Sequence, residues 1–300
     1  MKTLKTLIIG LATFCSLAMA KENITVLYAF SASDTTANYS RVLLNEANKI
    51  QEKYNFIFDA KAGAGGTLAT NHVSTTPDTI LHHSTAFFVR PNIFPKESWD
   101  LSTFREEFVH CQAPMVIAGS KVTSWKEVGN NKSVSIGISG LGVTTHLVAV
   151  QLQQKYPNLV IIPFKSTTDA MLSMVAGTVD LAIGFPGEVK QWVDSKKVTV
   201  LGITGSKSVG GYPTLVSQGF NSVFGQMLVG QHFVVPTKWS ESKSREIYDI
   251  LTQAAKNPVV AESYQDDYCA PLHSEYKDLP KFYDFHTEYW KKLSAGIKVD

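Results

Sequence analysis

Short apolar runs alternate with longer amphipathic stretches along most of this chain. Runs rich in β-branched and aromatic residues at 24–30, 80–83, 115–118, 134–138, 160–164, 181–185, 198–204 and 232–235 predict strands. Apolar positions with helical spacing predict helices over 37–54, 145–156, 170–176 and 242–256. Strands alternating with helices argue for an α/β fold whose parallel sheets are built from right-handed βαβ units. In such sheets ligands sit beyond the carboxyl ends of the strands. The turns at 30–36, 63–67, 83–87, 140–146, 164–169 and 185–188 are therefore where a binding site is expected.

Two of these turns are rich in glycine. Gly63-Ala64-Gly65-Gly66-Thr67 follows the strand-like Phe56-Ile57-Phe58, and Gly140-Leu141-Gly142-Val143-Thr144-Thr145-His146 follows the run at 134–138. Such a turn at a helix start presents free backbone N–H groups, which hold an anion without a charged side chain. Burying a carboxylate is costly unless donors replace its water. Backbone N–H groups at Gly65, Gly66, Gly142 and Val143 are candidates for that role, as are hydroxyls at Ser31, Ser33, Thr67, Ser84, Thr85, Thr144, Thr145 and Ser166. Each hydroxyl has an alternative use in capping or turn formation. His146 is either a donor to the ligand or a helix-start histidine bonded to backbone. Lys165 complements a carboxylate or is simply solvated, and Phe30 and Phe185 form an apolar cleft wall or belong to the core. Asp34 either adds a carboxylate to the first loop or shares with Ser33 the capping of the helix that follows.

The first 20 residues read as a secretory signal. Lys2 and Lys5 precede an apolar stretch at 7–17, and Ala18-Met19-Ala20 is a small-x-small cleavage site. Cleavage there predicts a periplasmic protein and leaves 280 of the 300 residues, more than one usual core, so two domains are expected. The chain has 28 Lys+Arg and 26 Asp+Glu, and cleavage removes two lysines and no acids, which balances the charge. That balance argues against a nucleic-acid surface or a polybasic membrane patch. The arginines are Arg41, Arg90, Arg105 and Arg245, so guanidinium clamps for an anion are scarce. Cys111 and Cys269 form a disulfide in an oxidising compartment or stay as two buried thiols.

Enzymatic readings find little support. The chain has no Gly-x-Ser-x-Gly elbow and no His-Glu-x-x-His motif, and neither Cys111 nor Cys269 has the basic or helix-start setting of a nucleophile. His82 and His83 are adjacent on a strand and point to opposite faces, which disfavours a shared metal ion. No enzyme activity, cofactor or metal is expected. The readings left are a binding protein for a small carboxylate, as alternative one for an amino acid or other solute acting through a sensor or an ABC system, and third a periplasmic hydrolase or isomerase on an α/β scaffold, for which no base in the cleft stands out.

The landmarks, taken in order, add a resemblance. They are the strand Ile24-Thr25-Val26-Leu27-Tyr28-Ala29-Phe30 with Arg41 beyond it, Gly63-Ala64-Gly65-Gly66 with Pro77-Asp78, and the Gly140–Leu147 turn. Ile162-Pro163-Phe164-Lys165-Ser166, Ala176-Gly177-Thr178-Val179-Asp180, Tyr212-Pro213-Thr214-Leu215, Val235-Pro236 and Asn257-Pro258-Val259 follow. This set resembles the substrate-binding proteins of tripartite tricarboxylate transporters, the Bug family, over nearly the whole mature chain. The resemblance implies a type II periplasmic-binding-protein fold with two βα lobes around a ligand cleft. It also implies that a small di- or tricarboxylate is carried to the large and small membrane subunits of a transporter, and the chain is expected to be a monomer. The family's first-loop Pro-Gly-Gly-x-x-Asp is altered: its Asp falls on Ala37, and its glycines fall on Ser33 and Asp34. Lobe one is expected at 21–120 plus 235–300 and lobe two at 121–234. Crossings are expected near 119–123 and 230–236, where Gly119 and Gly230 would absorb hinge rotation.

Overall fold

The computed structural model describes residues 20–272, 274–295 and 297, so the signal-like stretch at 1–19 lies outside the described residues. In chain order the strands are β1 (Glu22–Tyr28), β2 (Tyr54–Ala60), β3 (Thr79–Ser84), β4 (Phe104–Pro114), β5 (Val116–Gly119), β6 (Val134–Ile138), β7 (Leu159–Pro163), β8 (Leu181–Gly184), β9 (Thr199–Ile203), β10 (Leu228–Pro236) and β11 (Ala270–Pro271). The helices are α1 (Thr35–Lys49), α2 (Thr67–Thr75), α3 (Ala86–Ile93), α4 (Trp125–Asn130), α5 (Thr144–Gln153), α6 (Thr167–Val175), α7 (Pro186–Asp194), α8 (Glu241–Ala254), α9 (Pro258–Ser263) and α10 (Leu279–Ser294). The strands form one sheet in the order β11-β4-β10-β3-β1-β2 and a second in the order β7-β6-β8-β5-β9.

The α/β expectation holds, but the sheets are mixed rather than parallel. β1 is parallel to β2 and β3, and β6 to β7 and β8. β10 is antiparallel to β3 and β4, and β5 to β8 and β9. The reason is connectivity. In a βαβ unit each strand points its carboxyl end toward the binding edge of its sheet. β10 and β5 have just arrived from the other sheet, so they enter at that edge and run away from it.

The crossings also differ from the expected ones. The chain leaves the first sheet at Pro114 and joins the second at Val116, and it returns between Ile203 and Leu228. Gly119 ends β5 inside the second sheet, and Gly230 lies within β10 of the first. Glycine was a poor guide because the two crossings support each other as extended strands. Leu228 pairs with Pro114, Thr204 N donates to Met115 O (2.9 Å), and Met115 N donates to Thr204 Oγ1 (2.8 Å).

Both faces of the first sheet are covered. α1 packs with α8 and α9, and α3 packs with α10. His82 meets Ser40 of α1, while the adjacent His83 packs edge-to-face with Phe87 of α3, so the two imidazoles do point to opposite faces. β4 escaped the sequence reading because Arg105, Glu106, Glu107 and His110 interrupt its apolar pattern, yet Glu106, Glu107 and His110 are buried. Cys111 of β4 is disulfide-bonded to Cys269 across 158 residues, with the Cα atoms 5.4 Å apart.

The core around β4 holds its ionisable groups neutral. Burial pushes His83, His110, His232 and His286 down to about 3 and His82 well below its usual value. Burial likewise raises Glu107 to about 8 and Glu106 well above its normal range. The contact of His232 Nδ1 with Glu106 Oε2 (3.1 Å) is therefore a hydrogen bond between neutral groups rather than an ion pair.

Two outcomes follow for stability. The histidines protonate near 6.5 when unfolded and about 3 when folded, so their contribution is present above 6.5 and lost as pH falls toward 3. Glu107 and Glu188 ionise near 4.5 when unfolded and about 8 when folded, so theirs is full below 4.5 and lost as pH rises through 8. Chemical unfolding followed by circular dichroism is expected to show greatest stability between about pH 4.5 and 6.5, with a fall on both sides; a maximum at pH 8 or above would contradict it. Reducing the disulfide closes no new contact but frees a long loop in the unfolded chain. It is expected to lower stability by about 2–5 kcal/mol, and unchanged unfolding with and without reductant would show the bond to be dispensable.

Candidate functional site

The carboxyl ends of strands from both sheets face one cleft. Tyr28, Phe30, Asp34 and Thr36 line it from the β1–α1 segment, with Ser84 at the end of β3 and Val229 and Gln231 in β10. From the second sheet come Ser139, Val143, Thr144 and Thr145 of the β6–α5 turn, Thr167 of α6 and Phe185 before α7. The cleft has about 380 Å³ of empty space, counting its mouth.

One end of the cleft is rich in donors. α5 begins there, and its N-cap is Val143, which has no side chain to satisfy the first N–H groups. Ser139 and Thr145 are engaged with each other, Ser139 N donating to Thr145 Oγ1 at 3.1 Å. The Thr144 hydroxyl, on a residue only 3% exposed, has no hydrogen-bond partner among the described residues. The same holds for the amide nitrogen of Gln231, a residue 1% exposed on the opposite sheet. His82 orients that amide. Its Nδ1 lies 2.7 Å from Ser40 Oγ and its Nε2 lies 3.2 Å from Gln231 Oε1. With Ser40 donating to Nδ1, the neutral ring donates from Nε2 to Oε1, and the Gln231 nitrogen is left as a free donor in the cleft wall.

The other end is acidic. Asp34 stands at the N-cap position of α1 but makes no capping bond. Its carboxylate instead accepts from Tyr28 (3.3 Å) and, across the cleft, from Thr168 of α6 (3.1 Å). Burial raises it to about 6. Thr168 Oγ1 also lies 3.0 Å from Glu188 Oε1, and one hydroxyl proton cannot serve both carboxyls. Burial and the nearby Asp34 charge push Glu188 up to about 8, so at neutral pH it carries a proton. Thr168 can then accept from Glu188 and donate to Asp34. A third acid, Asp267, accepts from Gly187 N in the first turn of α7 (2.7 Å), from Thr35 Oγ1 (2.9 Å) and from Tyr39. An anion at a helix N-terminus is favourably placed.

The cleft brings together Phe30, Asp34, Ser84, Val143, Thr144, Thr145 and Phe185 of the expected residues. The others have visible employment elsewhere. Ser31 and Ser33 hydrogen-bond each other at 2.8 Å, and Thr85 Oγ1 accepts from Gly230 N at 2.6 Å. Ser166 caps α6 by accepting from Asp169 N, Lys165 is exposed, and His146 Nδ1 accepts from Gly142 N. The first glycine turn is a packing device. At Gly66 (φ +94°) a Cβ would collide with the His83 ring, and at Gly65 (φ +60°) with the Arg90 guanidinium. Arg90 fills that space, donating to Thr67 Oγ1 (3.0 Å) and to Leu141 O of the other sheet's turn (2.8 Å). Tyr28, Thr36, Ser139, Thr167, Val229 and Gln231 line the cleft without having been singled out in the sequence. Ser139 and Thr167 sat in or next to turns already marked as site turns, so a hydroxyl count there would have found them. Gln231 had no such signal, since β10 reaches the cleft only because it returns from the other sheet.

Known proteins share this architecture. The family described as the tripartite tricarboxylate transporter family receptor matches residues 40–298. A protein of Pseudomonas sp. strain P51, the UPF0065 protein in the tcbD-tcbE intergenic region, is 22% identical over 262 residues, 81% of this chain and 77% of its own. The solved periplasmic binding protein BugD superposes with a TM-score of 0.80 at 22% identity, covering 91% of this chain and 96% of its own. MatC from Rhodopseudomonas palustris, solved with bound malate, has a TM-score of 0.80 at 17% identity, covering 91% of this chain and 99% of its own. The fold is that of the periplasmic binding proteins, and with residues 40–298 matched the chain belongs to the tripartite tricarboxylate transporter receptor family.

Proposed function

We propose that this protein is a periplasmic solute-binding protein that captures a small organic acid in the cleft and delivers it to the large and small membrane subunits of a tripartite transporter. One observation carries the reading. Thr144 and Gln231, buried on opposite walls of one cleft, each present a polar atom with no partner among the described residues. A buried donor left unpaired is costly, and a carboxylate seated between them would satisfy both together with the open start of α5. Family membership, the signal-like residues 1–20 and the malate bound by MatC support the same reading.

The two sheets with their helices would form the lobes, exchanging at Met115 and between Ile203 and Leu228, and closure would turn about these paired crossings. Thr168 with Asp34, Gly187 with Asp267, and Arg90 with Leu141 are the bonds that hold the sheets together. A small acid would be enclosed by these contacts, its charge met by neutral donors.

Thr144→Val keeps the shape and removes the hydroxyl, and Gln231→Leu removes the amide. Each is expected to weaken malate binding by about tenfold or more in calorimetry while the unfolding midpoint holds. Unchanged affinity in both would place the ligand elsewhere. The arginines provide the converse check. Arg41 donates to Ala32 O and lies over Phe58, and Arg105 is tied to Ser244 and Glu241, both away from the cleft lining. Arg41→Gln and Arg105→Gln are expected to leave affinity within about threefold. A hundredfold loss in either would mean that a guanidinium holds the acid.

A further inference from the structure

The cleft has two chemically different ends. The start of α5, the Thr144 hydroxyl and the Gln231 nitrogen offer donors and no charged group. At the other end stands Asp34, 5% exposed, with no arginine or lysine among the residues that line the cleft. The residue occupies a helix N-cap and does not use its carboxylate as a cap. Its two oxygens accept one hydrogen bond each, from Tyr28 and Thr168, so each retains accepting capacity. A simple dicarboxylate would place a second negative charge toward this group, with no cation among the residues that line the cleft to offset it. An ammonium would meet a hydrogen-bond acceptor of opposite charge.

We propose that the preferred ligand is a small amino acid or amino-dicarboxylate, its carboxylate seated at α5, Thr144 and Gln231 and its ammonium on Asp34. This rests on the carboxylate-binding reading above and narrows it to a zwitterionic class. Asp34 faces Tyr28 of β1, Thr168 and Asp169 of α6 and Glu188 of α7; burial and the Asp169 charge oppose its ionisation, the hydrogen bonds from Thr168 and Tyr28 favour it, and burial wins, so its carboxyl sits at about 6. An ammonium ligand needs Asp34 ionised, so its affinity falls as pH drops through that value, by about tenfold per unit. A hydroxy acid has no such requirement.

Calorimetry with two matched pairs, aspartate against malate and alanine against lactate, tests this, because each pair exchanges one ammonium for one hydroxyl. At about pH 7.5 the amino member is expected to bind at least tenfold more tightly, with the preference shrinking toward about pH 5. Asp34→Asn, which keeps an acceptor for Thr168 or Tyr28, is expected to erase the preference by weakening aspartate and alanine by about tenfold or more, with malate, no longer facing a charge, binding no worse. Hydroxy acids that bind as tightly as their amino partners, or a preference that survives Asp34→Asn, would overturn the zwitterion assignment alone. If none of the four binds, the carboxylate reading itself fails and this one falls with it.

Discussion

Bringing the two sheets together takes Asp34, Glu188 and Asp267 out of water, and each carboxyl must then be met by donors within the protein. Two of the three draw a donor from the opposite sheet's side. Thr168 of α6 reaches Asp34 in the β1–α1 segment, and Gly187 at the start of α7 reaches Asp267. These two acids therefore act as latches, each gaining from the other side a donor that is present only while the sheets are close. Glu188 is served from its own side, by Thr167 and by Phe185 N, and relieves the crowding by carrying a proton. Asp34, which lines the cleft, would disfavour a second negative charge on a ligand there, and Glu188, kept protonated behind it, adds none.

The Asp267 latch draws on distant parts of the chain. Its carboxylate is held by Thr35 and Tyr39 of α1, while Cys269, two residues on, is bonded to Cys111 in β4. The disulfide thus anchors the segment that presents Asp267, and the Tyr39 ring packs edge-on against Tyr264 to close the same corner. Stability at the far edge of the first sheet and geometry at the mouth of the cleft share one covalent tether.

The sequence made the regular elements legible because their apolar periodicity is strong. The runs at 134–138 and 181–185 fall on β6 and β8 nearly residue for residue, and the ordered landmarks pointed to the family. It hid what depends on tertiary partners. β4 is a central strand that buries Glu106, Glu107 and His110, which reads as a polar segment until neutral partners are in view. The glycines at 63–66 carry the composition of an anion turn, but the space beside them is taken by His83 and Arg90, and composition cannot report occupancy. Of the cleft residues, those in strand-end turns were within reach, whereas Gln231 becomes a site residue only through the antiparallel return of β10.

That return strand also explains how neutral groups come to line the cleft. Ser40, His82 and Gln231 form one line from α1 through β3 to β10, each fixing the next by a single hydrogen bond. Burial keeps His82 neutral, so the line carries direction without charge and leaves the Gln231 nitrogen without a partner among the described residues. Thr144 faces it from a helix whose open N-terminus adds partial positive charge. A guanidinium at this point would bind any anion strongly and release it slowly. Under the delivery proposed above, aligned neutral dipoles would lose less on opening.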